Sequence, residues 1–129
     1  MNVAVVDHVA GAARARGIAL VVDVFRAFTV APHAYAAGAS RLIPVAAVED
    51  ALALRQRLPD ALLVGERHAR RLPGFDAGNS PTEILALDLA GRPVVHTTHA
   101  GTQGLVAATG ADEVLTASLV NVSALVRYV

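Results

Sequence analysis

The sequence predicts an α/β protein: a mostly parallel sheet covered by helices on both faces, in three layers. Three observations carry this expectation. Short apolar runs alternate with helix-period segments five times along the chain. The runs, such as "IALVV" and "ALLV", are near-continuous in Val, Leu and Ala, as strands buried on both faces are. The chain has 129 residues, 54% hydrophobic and 17% charged, enough for one cored domain. Residues 1–129 are therefore expected to form a single α/β domain with no linker and no internal repeat.

In order, "NVAVV" (residues 2–6) reads as a first short strand. "GIALVVDV" reads as a buried strand ending at Asp23. "FTVAPHAYAAG" reads as a helix with Pro32 near its start and Gly38 at its close. "SRLIPV" is the next strand. "AAVEDALALRQRL" reads as an amphipathic helix. Its apolar face would be Val48, Leu52, Leu54 and Leu58, with Glu49, Asp50, Arg55 and Arg57 on the polar side. "DALLVGE" is a strand. "SPTEILAL" is a helix opened by a capping box, with Ser80 as N-cap, Pro81 at the first helical position and Glu83 reaching back. "GRPVVHTT" is a strand, "TQGLVAATG" a helix closed by Gly110, "DEVLTAS" a strand, and "NVSALVRYV" starts a helix at about Asn121. That last helix has no closing cap, so the fold is expected to be incomplete at its C-terminus, the first part of a longer domain.

Composition excludes several chemistries. There is no cysteine, so disulfides, thiolate catalysis and Cys-ligated zinc are ruled out; this fits a cytoplasmic protein. All eleven basic residues are Arg, which removes lysine chemistry, including a P-loop. Net charge is zero and no aromatic platform stands out, so no nucleic acid partner is expected. No apolar run reaches eighteen residues, so no membrane span is expected. The N-terminus has no basic region and carries Asp7, unlike a signal peptide. An exposed sheet edge or an apolar last helix would favour a homo-oligomer.

In an open parallel sheet, ligands bind beyond the carboxyl ends of the strands. After "IALVV" come Asp23, Arg26 and Thr29; after "ALLV" come Gly65, Glu66 and Arg67. After "RPVVH" come Thr97, Thr98, Gly101 and Thr102; after "EVLTA" come Ser118 and Asn121. Carboxylates, guanidinium groups and hydroxyls along one edge suit a polyanionic ligand with a divalent metal. Asp23 follows apolar residues, where a bare carboxylate needs a partner. It reads as a functional carboxylate, an ion-pair partner of Arg26 or a cap for the next helix. The planar fork of Arg26 suits phosphate or sulfonate. Glu66 reads either as a solvated surface side chain or as the hard oxygen that magnesium takes together with water and phosphate oxygens. In "PGFDAGNSPTE" the capping box accounts for Ser80 and Glu83 and leaves Asp76 and Asn79 as site candidates. "TTHAGTQG" runs from a strand into a helix, where backbone amides and Thr hydroxyls can hold phosphate oxygens. His96 and His99 flank Thr97-Thr98 and read as a metal pair or as two structurally satisfied side chains.

Five segments resemble one family in order and spacing: "VVDVFRAFT", "AAGASRLIPVAAVEDALAL", "LLVGERHARRLPGFDAGNSP", "VVHTTHAGTQGL" and "ASLVNVSALVRYV". The family is the 2-phosphosulfolactate phosphatases, the ComB-like proteins, and "GER…PGFDAGNSP" is the most specific segment. The resemblance implies an α/β/α layered fold and a magnesium-dependent enzyme. It implies hydrolysis of the phosphate ester of 2-phospho-3-sulfolactate to sulfolactate and phosphate, a step of coenzyme M or sulfolactate metabolism. The substrate would be this or a similar small sulfonated or carboxylated phosphoester. On this reading Asp23, Arg26 and Glu66 are catalytic. Asp23, Glu66 and Asp76 hold the metal. Arg26, Asn79, Thr97, Thr98, Gly101, Thr102, Ser118 and Asn121 bind substrate. The chain departs from the family pattern at Ala100, where "TTTNGT" has Asn, and at Phe28, where Thr is common; both departures bear on specificity. A haloacid-dehalogenase-type nucleophile is disfavoured, since the second Asp of that motif is here Phe25. The family is nearly twice as long as this chain. A second reading follows from that length: a non-catalytic anion-binding fragment or relic that assembles with another chain.

Overall fold

The computed structural model describes residues 2–129. Six helices and six strands follow in the order α1 (His8–Ala12), β1 (Ile18–Val22), α2 (Ala27–Ala36), β2 (Arg41–Pro44), α3 (Val48–Arg57), β3 (Leu62–Arg67), β4 (Arg70–Arg71), α4 (Pro81–Leu85), β5 (Pro93–Thr97), α5 (Gly101–Ala107), β6 (Glu113–Ala117) and α6 (Val122–Tyr128). The β-α alternation expected from the sequence is present. β5 is the central strand of a four-stranded sheet in the order β2-β5-β3-β4. It pairs in parallel with β2 and β3, so that Val95 lies level with both Ile43 and Leu63.

Both faces of this sheet are covered because apolar residues occupy successive positions rather than alternate ones. Leu62 and Val64 of β3 and Val94 of β5 pack against Val30 and Ala34 of α2 and Ile84 of α4. Leu63 and Val95 point the other way, against Ala51 of α3 and Phe75. Consecutive strand residues face opposite sides, so these two clusters define the three layers. Burying one such Leu or Val contributes about 1.5–3 kcal/mol each.

Several expectations are corrected. The strands divide into two sheets, because β1 pairs only with β6. β1 is not buried on both faces: Ile18, Leu20 and Val22 are exposed. Residues 2–6 form no strand, since their backbone meets no strand edge, and Val3 and Val5 stand exposed. Pro32 lies well inside α2, not near its start. The buried stripe of α3 runs through Ala51, with Val48, Leu54 and Leu58 packed beside it, while Leu52 is exposed. Helix α5 ends at Ala107, and Gly110 lies beyond it against Arg16. Ser80 and Pro81 take the N-cap and first positions of α4 as expected, but Glu83 accepts the Gly78 amide at 2.7 Å rather than that of Ser80. Gly78 permits this, because a Cβ there would lie 3.0 Å from the Glu83 carboxylate.

Candidate active site

The carboxyl ends of β1, β3 and β5 converge on one turn, residues 98–101, between β5 and α5. Glu66, near the end of β3, is buried and reaches this turn by accepting the His99 amide at 2.8 Å through Oε1. Its other oxygen accepts the Ala69 amide at 2.8 Å. Asp23, just beyond β1, rests against the same turn from the other side. A Cβ on Gly101 would collide with Asp23 Oδ2 and with Ala27, so only glycine fits there. Burial pushes the Asp23 carboxyl above its ordinary range. The Ala27 amide, donating to Oδ1 at 3.2 Å, opposes that rise, and the negative charge of Glu66 adds to it. Two carboxylates thus face each other across a glycine turn.

Glu66 owes its position to a short hairpin that sequence reading did not anticipate. β3 and β4 pair antiparallel, Arg67 opposite Arg70, across the two residues His68 and Ala69. Both adopt left-handed φ, 53° and 61°, the geometry of a two-residue hairpin turn usually supplied by Asn-Gly. No glycine marks the turn in sequence, which is why it was missed. The Ala69 amide bond to Glu66 helps offset the strain of that conformation.

The turn itself is closed by two buried threonines. The Thr98 amide donates to Thr102 Oγ1 at 2.7 Å, and the Thr102 amide donates to Thr98 Oγ1 at 3.0 Å. Thr97 is also buried; its Oγ1 accepts from Arg67 at 3.0 Å. The Arg67 guanidinium further donates to the carbonyls of Glu66 and Ala46. Arg67 thereby ties the ends of β3 and β5 to the β2–α3 connection. Gly65 allows the close approach, since a Cβ there would lie 2.5 Å from the Thr97 carbonyl oxygen.

Arg26 precedes α2, three residues from Asp23 in sequence, and is half-buried. Among the described residues it makes no ion pair, so the expected alternative of an Asp23–Arg26 pair is not realised. The helix-cap alternative is realised through the Ala27 amide. The planar donor fork of Arg26 is left for an anion.

Asp76 is a correction. It was expected to share a metal with Asp23 and Glu66. Instead its Oδ2 accepts the Leu63 amide at 2.8 Å, near the start of β3, and forms an ion pair with Arg55 of α3. Among the described residues no group of three His, Asp or Glu side chains is placed to hold a metal. The strand explains this: Leu63 and Glu66 are three residues apart, about 10 Å along an extended chain. The remaining pair, Asp23 and Glu66, still suits magnesium, which takes one or two carboxylates and completes its shell with water and phosphate oxygens. A cation held by both would offset the like-charge repulsion that adds to the burial-driven rise of the Asp23 carboxyl.

The other candidates lie beneath or beside the edge. Asn79 is buried, with Oδ1 3.1 Å from Nε2 of buried His96. His96 and His99 are not a metal pair, since His99 is exposed with its ring against His68. Asn121 closes the turn after β6, accepting the Ser118 amide and donating to the Thr116 carbonyl, each at 2.8 Å. The Ser118 hydroxyl donates to the Phe28 carbonyl at 2.7 Å.

The chain is similar to proteins of one family. The family model for 2-phosphosulpholactate phosphatase matches residues 4–129. A Deinococcus radiodurans protein named "Probable 2-phosphosulfolactate phosphatase" is 46% identical over 112 residues, covering 86% of this chain and 47% of that protein. A protein of the same printed name from Symbiobacterium thermophilum is 42% identical over 112 residues, 85% of this chain and 48% of its own length. Another, from Clostridium perfringens strain SM101, is 36% identical over 126 residues, 95% of this chain and 51% of its own length. The chain spans about half the length of the curated relatives it matches. With a match running from residue 4 to its last residue, the chain belongs to the 2-phosphosulpholactate phosphatase family.

Proposed function

We propose that this chain carries the carboxylate and arginine side of a magnesium-dependent phosphatase site. Its substrate is 2-phospho-3-sulfolactate, or a similar small sulfonated or carboxylated phosphoester, and its products are sulfolactate and phosphate, within coenzyme M or sulfolactate metabolism. The observation that carries the reading is the meeting of Asp23 and Glu66 at the Gly101 turn; Arg26, at the start of α2 and without an ion-pair partner among the described residues, supports it. Family membership supports the substrate class.

Asp23 and Glu66 would hold the magnesium ion, which when bound polarises the phosphoryl group and acidifies a water. The chain's own groups do the rest. Arg26 binds the phosphate or sulfonate in its planar fork. The turn is pre-organised before any ligand arrives: Thr98 and Thr102 exchange amide-to-hydroxyl bonds, and the His99 amide is held by Glu66. Glu66 is fixed by two amides and cannot swing away. Arg67 secures the edge through Thr97 and Ala46 and is a positioning residue. Asn79, Ser118 and Asn121 would act on substrate only indirectly, by holding the turns around it. The absence of cysteine fits a reducing cytoplasm; among the described residues no helix is long and apolar enough to cross a membrane.

Phosphate release from 2-phospho-3-sulfolactate tests this, with magnesium and with chelator. Magnesium-dependent release is expected, falling at least about 100-fold in Asp23→Asn and in Arg26→Ala. Release that persists in chelator or in Asp23→Asn refutes the assignment. A second reading is favoured by the half-length match: this half binds the anion and turns nothing over without a further polypeptide. Phosphate binding without release by the chain alone would select it.

A further inference from the structure

A broad concavity of about 1680 Å³ lies along β1, the N-terminal segment and the start of α5. Its floor is apolar and bare. Leu20 is 46% exposed, Val22 67% and Phe25 90%, and Ile18, Val3 and Val5 continue the surface. β1 is hydrogen-bonded to a neighbouring strand along one edge only. An apolar face this extensive beside an unpaired strand edge is unusual for a monomer and marks a covered surface. The same concavity is lined by Asp23 and Gly101, so whatever fills it also walls the candidate site.

We propose that this face seats a second polypeptide half, equivalent to the part of the relatives that this chain does not span. That half packs on Leu20, Val22 and Phe25 and closes the site beside Asp23 and Gly101. Two observations choose this occupant. The relatives match this chain over only 45–51% of their own length, so each carries about as much polypeptide again. Val129, the last residue matched by the family model, lines the same concavity, so a chain running on from that position is delivered to it. The inference rests on family membership and not on the phosphatase reading, and binding is measured apart from turnover.

The chain contains no cysteine, so a single introduced thiol reports on one place. Leu20→Cys is the probe, and Leu52→Cys, exposed on α3, is its control. The remaining half of the Deinococcus radiodurans relative is co-expressed with this chain and, separately, joined to it as one polypeptide. A 1:1 complex is expected in sedimentation. Maleimide labelling of Leu20→Cys should slow at least tenfold in both forms, while Leu52→Cys labels as it does in the chain alone. Val22→Asp should leave the circular dichroism of the chain alone unchanged and weaken the complex at least tenfold. Equal Leu20→Cys labelling in the lone, co-expressed and joined forms overturns the proposal. So does a homodimer of the chain that shields Leu20→Cys and is not displaced by the half, since the occupant is then a second copy.

Discussion

His96 sits in the central strand, buried on every side, where a charged ring has no water to solvate it. Burial lowers its pKa to about 4, with Glu66 pulling weakly the other way. The ring is therefore neutral at pH 7, and its Nε2–H donates to Asn79 Oδ1. The folded pKa is depressed, so the stabilisation is fully present above the unfolded value of about 6.5 and is lost as pH falls through about 4. At most this amounts to about 3 kcal/mol. His96→Gln, which retains a donor for Asn79 but cannot titrate, should flatten stability between pH 6.5 and 4. Urea unfolding at several pH values measures it, and an unchanged acid slope in the variant would assign the slope elsewhere. The pKa of Asp23 moves the opposite way for the same cause, since burial penalises whichever form is charged.

Between elements, Pro32 and Ser118 form a pair separated widely in sequence. Pro32 has no N–H, so in α2 the carbonyl of Phe28, four residues back, loses its helical donor. The Ser118 hydroxyl, at the end of β6, supplies a replacement at 2.7 Å in a buried setting. That bond fastens the β1–β6 sheet to α2, which packs on the other sheet. Ser118→Ala strands the carbonyl and should cost about 1–3 kcal/mol in denaturant unfolding. Pro32→Ala restores an N–H to Phe28, so the double variant should recover part of that loss. Strictly additive effects would show that the two residues are uncoupled.

Across the whole molecule, stability is uneven. β3 and β5 carry both core clusters and are covered on two faces. β1 and β6 contribute Ala19 and Ala117 as their buried apolar residues and leave Leu20 and Val22 in solvent. Fewer apolar contacts mean cheaper local opening. Hydrogen exchange of the chain alone should therefore run faster in β1 and β6 than in β3 and β5, by roughly 100-fold for a difference of about 3 kcal/mol. Uniform protection across both sheets would mean that the two open as one unit.

The sequence by itself determined the layered α/β class, nearly every strand and helix, the edge where polar residues gather, and the family. Apolar runs and strand-end polarity are local signals, and "GER…PGFDAGNSP" is specific enough to be read without coordinates. Tertiary structure alone decided which polar residues meet. Asp23 and Glu66 lie far apart in the chain and come together at Gly101, whereas Asp76, nearer to Glu66 in sequence, is drawn away to Arg55. It also decided that "NVAVV" is no strand and that β1 stands half bare. The physical reason is that apolarity records a need for burial but not the surface that meets it, and only the packed fold supplies the partner.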